Sequence, residues 1–269
     1  MIARSAWAED ASLGVVTLFG LGAFAAPLMV GTASAQPSAL LTGLVGAAAV
    51  LVVALGLATH RMSTRLVAVL AALVAVDASV RLVLVIGLLG FSPIFFLIIA
   101  AGYVMGPSFG FGMGALTLLL SAVLTAGFGP WLPYQMLGCG WVGMGAGYLG
   151  IIRPPGLRGA LVLLATYSAL AGFAYGAILD LWEWPALLGA ASSPISWAPH
   201  LPLLTLVERF GAFYLATSFV YDAFRAAGNL LLIALLGAPV IAALRRFKQR
   251  FLVEWVGPGT LGDDVRSPA

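Results

Sequence analysis

An all-α, polytopic membrane bundle is the fold this sequence predicts, and three observations predict it. Of 269 residues, 62% are apolar and only 9% are charged, and the mean hydropathy is +1.07. The apolar residues fall in runs of bilayer length. The basic residues cluster in the short segments between the runs and near the C-terminus. An ordinary soluble domain is about 25% charged, so a cytosolic enzyme, a disordered chain and a disulfide-stapled secreted module are excluded. Spans of roughly 20 residues, about 30 Å at 1.5 Å per residue, hide such a surface in hydrocarbon.

Hydrophobic runs predict eight spans, at 12–33, 38–58, 65–88, 92–105, 109–127, 133–150, 159–184 and 210–243. The first ends at Ala33-Ser34-Ala35, which resembles a signal-peptidase site. Its leading segment holds only Arg4, opposed by Glu9 and Asp10, and the run is long for a signal sequence. A retained span is therefore expected, and cleavage would leave seven. The fourth span is short and follows Ser92-Pro93, whereas the eighth is long enough to tilt or project. Three regions result: an N-terminal two-helix hairpin (1–63), a six-helix core (64–245) and a basic tail (246–269).

Charge sets the expected orientation. With both termini cytoplasmic, ten basic residues lie inside, namely Arg4, Arg61, Arg65, Arg153, Arg158, Arg245, Arg246, Lys248, Arg250 and Arg266, and only Arg209 lies outside. The predicted outward loops are then 34–37, 89–91, 128–132 and the long 185–209. The pI near 9.3 reflects this topology, so membrane lipid rather than nucleic acid is the expected surroundings.

Several chemistries are excluded by residue type. A P-loop needs Gly-Lys-Ser/Thr, but the sole lysine, Lys248, follows Phe247. No span carries a histidine and Cys139 is the one cysteine, so no N/S metal cluster and no bound catalytic cofactor are expected. A serine hydrolase triad lacks its histidine for the same reason. An intramembrane aspartate pair stays open, although no enzyme is the expectation. The run Gly106-Pro-Ser-Phe-Gly110-Phe-Gly112-Met-Gly114 superficially resembles a phosphate loop. With no strand before it, the run reads as a turn and a close helix contact, as do Gly143 and Gly147.

Intramembrane charge is more informative, since each isolated charge costs at least about 2.5–3.5 kcal/mol at the bilayer centre. Asp77 and Arg81 are four residues apart; Asp222 and Arg225 are three apart, with Asn229 a turn further on. Each set is either a self-neutralising pair that locks packing or part of a binding site. The site reading is preferred for Asp222, Arg225 and Asn229, and the packing reading for Asp77 and Arg81. Asp180 and Glu183 stand beside Trp182 and Trp184, as an interfacial belt or as an aromatic and acidic pocket wall. Gly127-Phe-Gly129-Pro130-Trp131-Leu-Pro133-Tyr134-Gln135 is expected to be a stiff non-helical connection presenting Trp131, Tyr134 and Gln135, either a gate or ligand-lining loop or a plain interfacial turn.

Residues 90–149 carry Phe91-Ser-Pro-Ile-Phe95, Ala101-Gly-Tyr-Val-Met-Gly-Pro-Ser-Phe-Gly-Phe-Gly-Met-Gly114 and Gly129-Pro-Trp-Leu-Pro-Tyr-Gln-Met136. This stretch resembles the substrate-capture subunit, or S-component, of energy-coupling-factor (ECF) vitamin transporters. The resemblance continues more loosely through Ala68–Ala78 and Arg225-Ala-Ala-Gly-Asn229, over about 64–245. It implies a six-helix subunit that binds a vitamin in an outward pocket, through loops corresponding to Leu88–Ser92 and Gly127–Tyr134 and the outer parts of the last three helices. It also implies that small residues, here Ala68, Ala71, Ala72 and Ala75, dock a transmembrane coupling subunit, while two separate ATPases hydrolyse ATP. A corrinoid is the first substrate expected, with a flavin, thiamine precursor or biotin next; a bare metal ion is not, for want of an N-terminal histidine. The N-terminal hairpin and the 185–209 loop depart from the compact family form. The competing reading is a stand-alone carrier coupling transport to protons through Asp77, Asp180 or Asp222. The expected location is the cytoplasmic membrane of a prokaryote.

Overall fold

Eight helices and no strand make up the described residues, which are 2–29, 64–85, 94–152, 156–188 and 193–252 of a computed structural model. They are α1 (Ile2–Met29), α2 (Thr64–Val85), α3 (Ile94–Met105), α4 (Pro107–Thr125), α5 (Leu132–Ile152), α6 (Gly156–Leu188), α7 (Leu203–Thr217) and α8 (Phe219–Leu252). The predicted second span, 38–58, lies outside the described residues. Among the described residues three stretches, Pro107–Thr125, Gly156–Pro185 and Phe219–Arg250, are long and apolar enough to cross a bilayer; Leu13–Ala26 and Ile94–Met105 are shorter apolar segments. Leu18, Val162, Leu170 and Leu235 stand exposed on the outer surface, which suits a hydrocarbon solvent and not water.

The short helix α3 is the hub. It touches α2, α4, α5, α6 and α8, and residues 94–104 are buried except Leu97. At 12 residues it is about 18 Å long, too short to cross alone, so its neighbours surround it. Glycine lets them come close. A methyl group at Gly102, Gly110 or Gly143 would collide with the backbone of a facing helix, and one at Gly114 would meet Cys139 and Gly140. Gly147 abuts Gly106 and Pro107, where φ of +114° at Gly106 turns the chain from α3 into α4. The glycine run is thus a turn and a helix contact, as its sequence suggests.

Three boundaries differ from the hydropathy reading. Helix α5 starts at Leu132, so Pro133, Tyr134 and Gln135 form its first turn and not a non-helical loop. Proline is tolerated there because first-turn N–H groups need no intrahelical acceptor. The predicted eighth span is broken at Ser218, with α7 before it and the 34-residue α8 after it. The predicted 185–209 loop is shorter than expected, because α6 runs on through Pro185 to Leu188 and α7 begins at Leu203. Hydropathy misses that break, since the segment stays apolar across it. The basic stretch from 246 begins as the last turns of α8.

Helix α1 is not a detached arm. Leu13, Val16, Ala23 and Phe24 are buried in the main core, and the Phe24 ring meets Tyr134 edge-on at 5.0 Å and Trp141 at 5.6 Å. The ends of the bundle differ in charge. At one end Lys248 Nζ donates to the Val104 carbonyl at the close of α3 (2.6 Å), and the Arg245 guanidinium lies 5.8 Å from the Tyr103 ring. At the other end gather Asp180, Asp222 and the aromatic residues of α6 and α7.

Candidate functional site

Helices α6 and α8 pack along a face built for close approach. Gly172, Gly176 and Asp180 recur every four residues on α6, so they share one side of the helix. A methyl group built on Gly172 would stand 3.3 Å from the Ala226 backbone, and one on Gly176 would overlap the Asp222 carboxylate. The missing side chains make room for a polar cluster that an apolar bundle otherwise excludes.

Asp222 is buried at the start of α8 and forms an ion pair with Arg225. Its other carboxylate oxygen accepts from the Tyr214 hydroxyl at 2.9 Å. The Arg225 guanidinium lies 5.1 Å from the Tyr175 ring and 5.9 Å from the Phe95 ring, so aromatic faces from α6 and α3 flank the cation. It also donates to the Gly172 carbonyl at 3.4 Å. Asp180, buried on α6, accepts from Ser218 Oγ at 2.7 Å through one oxygen; its second oxygen meets no partner among the described residues. Asn229 Nδ2 donates to the Arg225 carbonyl at 2.8 Å, and its Oδ1 is buried without a partner among the described residues. One buried carboxylate, Asp222, therefore pairs with the guanidinium, while the second, Asp180, is held by Ser218 in the same cluster.

No protein-family model, no curated protein and no solved structure matches this chain.

The structure brings together Asp180, Asp222, Arg225 and Asn229 of the expected residues. Tyr134 and Trp182 form a second group, stacked at 4.8 Å with 28° between the rings and both buried. Trp184 is elsewhere, in a cluster with Trp197 and Phe213, its Nε1 donating to the Ile195 carbonyl at 2.8 Å. Trp131 stands 42% exposed, its ring lying over Gly129 in the turn before α5. Gln135 is half-buried, one turn into α5.

The other charged set departs from a simple self-neutralising pair. Arg81 Nη1 donates to Ser121 Oγ on α4 at 2.8 Å, and Asp77 is buried beside Thr117 of α4 and Arg81. This set ties α2 to α4 across the bundle. Ala68, Ala71, Ala72 and Ala75 are exposed on α2, away from that contact.

Tyr175, Tyr214, Ser218, Phe95 and Gly176 were not expected at the site. The four-residue spacing of Gly172, Gly176 and Asp180 was the available signal for α6. Tyr214 and Ser218 gave none, because a hydroxyl in an apolar segment reads equally well as a bond to its own helix, as Thr217 makes to Phe213.

Proposed function

We propose that this chain is the substrate-binding membrane subunit of an ECF-type importer. It takes a vitamin or related cofactor, a corrinoid first, from outside and delivers it with a separate coupling subunit and two ATPases. The observation that carries the reading is the position of Arg225 over Phe95. Phe95 closes the Phe91–Phe95 motif and Arg225 opens the Arg225–Asn229 motif, two of the stretches on which the resemblance rests. Their meeting beside Asp180 and Asp222 supports a binding site made from α3, α6 and α8. A large organic ligand would stack on aromatic faces and exchange hydrogen bonds with the carboxylates and Asn229.

The chain's own work in this reading is binding and release, without catalysis. Exposed Ala68, Ala71, Ala72 and Ala75 support docking of a transmembrane partner, because small side chains let helix backbones approach closely. The basic end of the bundle then faces the cytoplasm of a prokaryote, with the polar cluster outward. Neutralising Asp222 and Arg225 together tests the reading: the variant should fold but lose its ligand.

A second reading has its own observation. The unpartnered, buried oxygen of Asp180 also suits a proton-carrying carboxyl in a stand-alone carrier. Uptake by this chain alone in proteoliposomes, driven by a proton gradient, would favour that carrier over the importer subunit.

A further inference from the structure

A groove of about 540 Å3 runs between the first half of α2 and the last third of α8. Ala68, Ala72 and Leu73 line one wall, and Leu244 and Phe247 line the other. The lining is apolar apart from Arg65, which stands at the first turn of α2. Arg250 continues the Ala243–Phe247 stripe of α8 one turn onward, with Arg246 beside it, and both are exposed. Arg65 in the groove lining, with Arg246 and Arg250 exposed within a turn of Phe247 on α8, makes a basic collar near this end. Among the acidic side chains described, Asp77 lies about three turns further along α2, Glu208 is on α7, and Asp180, Asp222 and Glu183 belong to the opposite end of the bundle. No described carboxylate neutralises this collar.

An apolar slot beside exposed arginines that no carboxylate among the described residues neutralises has the chemistry of an anionic phospholipid. Acyl chain and slot are both apolar, and phosphate oxygens accept from guanidinium forks. Lys248 and Arg245 do not compete for this role, since they turn to Val104 and Tyr103 of α3. We propose that the α2–α8 groove binds one anionic phospholipid, with an acyl chain along Ala68, Ala72 and Phe247 and the headgroup phosphate on Arg65, Arg246 and Arg250. The inference stands on the groove and its arginines and does not rest on the importer reading. Ala68 and Ala72 also belong to the alanine face proposed above for a transmembrane partner, so lipid and partner would compete for it.

The test titrates the purified full chain with dioleoyl phosphatidylglycerol and, separately, dioleoyl phosphatidylcholine, counting bound lipid by native mass spectrometry. One phosphatidylglycerol should be retained in preference to phosphatidylcholine. The R65Q/R246Q/R250Q variant should lose that preference by about a hundredfold, at about fivefold per arginine. If that variant does not fold, R65Q alone should show the fivefold loss. Ala72→Trp, which fills the slot and keeps every arginine, should lose the retained phosphatidylglycerol in a protein of unchanged helicity. Equal retention of the two lipids by the native chain, or full phosphatidylglycerol retention by Ala72→Trp, would overturn the proposal and give the groove to a protein segment.

Discussion

Gly176 of α6 lies so close to the Asp222 carboxylate of α8 that a methyl group at position 176 would overlap it. Arg225 and Tyr214 hold that carboxylate from two other directions, so it has nowhere to move. Alanine is the better helix former by about 1 kcal/mol, yet overpacking costs about 1–3 kcal/mol. Gly176→Ala should therefore lower the thermal midpoint in detergent. Gly14→Ala, where nothing lies within 4 Å, should leave it unchanged or raise it. Equal midpoints for the two variants would mean that α6 and α8 are not in close contact.

Tyr134 and Trp131 are neighbours in sequence with opposite surroundings. Tyr134 is fully buried between Phe24 and Trp182, so Tyr134→Ala should cost about 3–5 kcal/mol. Trp131→Ala should change stability by less than about 0.5 kcal/mol. Denaturation in mild detergent followed by helicity separates them. A large loss for Trp131→Ala would show that its ring is buried by something beyond the described contacts.

Arg81 and Ser121 link α2 to α4 at 2.8 Å. A hydrogen bond to a charged group contributes about 1.5–3 kcal/mol, so Ser121→Ala should destabilise by about that amount. Ligand affinity should stay as it is, because the contact is structural. Loss of binding by Ser121→Ala with unchanged stability would move Asp77 and Arg81 from the packing reading to the site.

Single and double changes at Asp222 and Arg225 separate stability from binding. Removing one partner leaves a buried charge, at a cost of about 3–5 kcal/mol, so Asp222→Asn and Arg225→Gln should each lower folded yield. The double variant should recover much of that yield, as judged by a monodisperse size-exclusion peak. Recovery no better than the singles would mean that Tyr214 and Gly172 matter more to this cluster than the pair itself.

The helical class was legible because apolar runs and sparse charge leave few alternatives, and the glycines at 110, 143 and 147 announced where helices meet. The break at Ser218 was not legible. It lies in an apolar stretch with no proline or glycine at the turn, and tertiary contacts such as Ser218 to Asp180 mark it instead. At the site, Asp222 and Arg225 could be read from their spacing. Tyr175 and Phe95 could not, because an aromatic residue in an apolar helix looks the same whether it faces lipid or a guanidinium. Trp184 misled for a related reason: tryptophan beside carboxylates suggests a wall, but here it fills a small aromatic core with Trp197 and Phe213.

The most direct test of the central claim is the small-molecule content of the purified protein. Native chain and the Asp222→Asn/Arg225→Gln variant are extracted from the same membranes, denatured, and the released compounds separated and weighed by liquid chromatography and mass spectrometry. A vitamin-class compound near one equivalent in the native chain, absent from a double variant that elutes as a folded monodisperse species, is the predicted result. The same compound at the same stoichiometry in both proteins would contradict the account, because Asp222 and Arg225 would then lie outside the site.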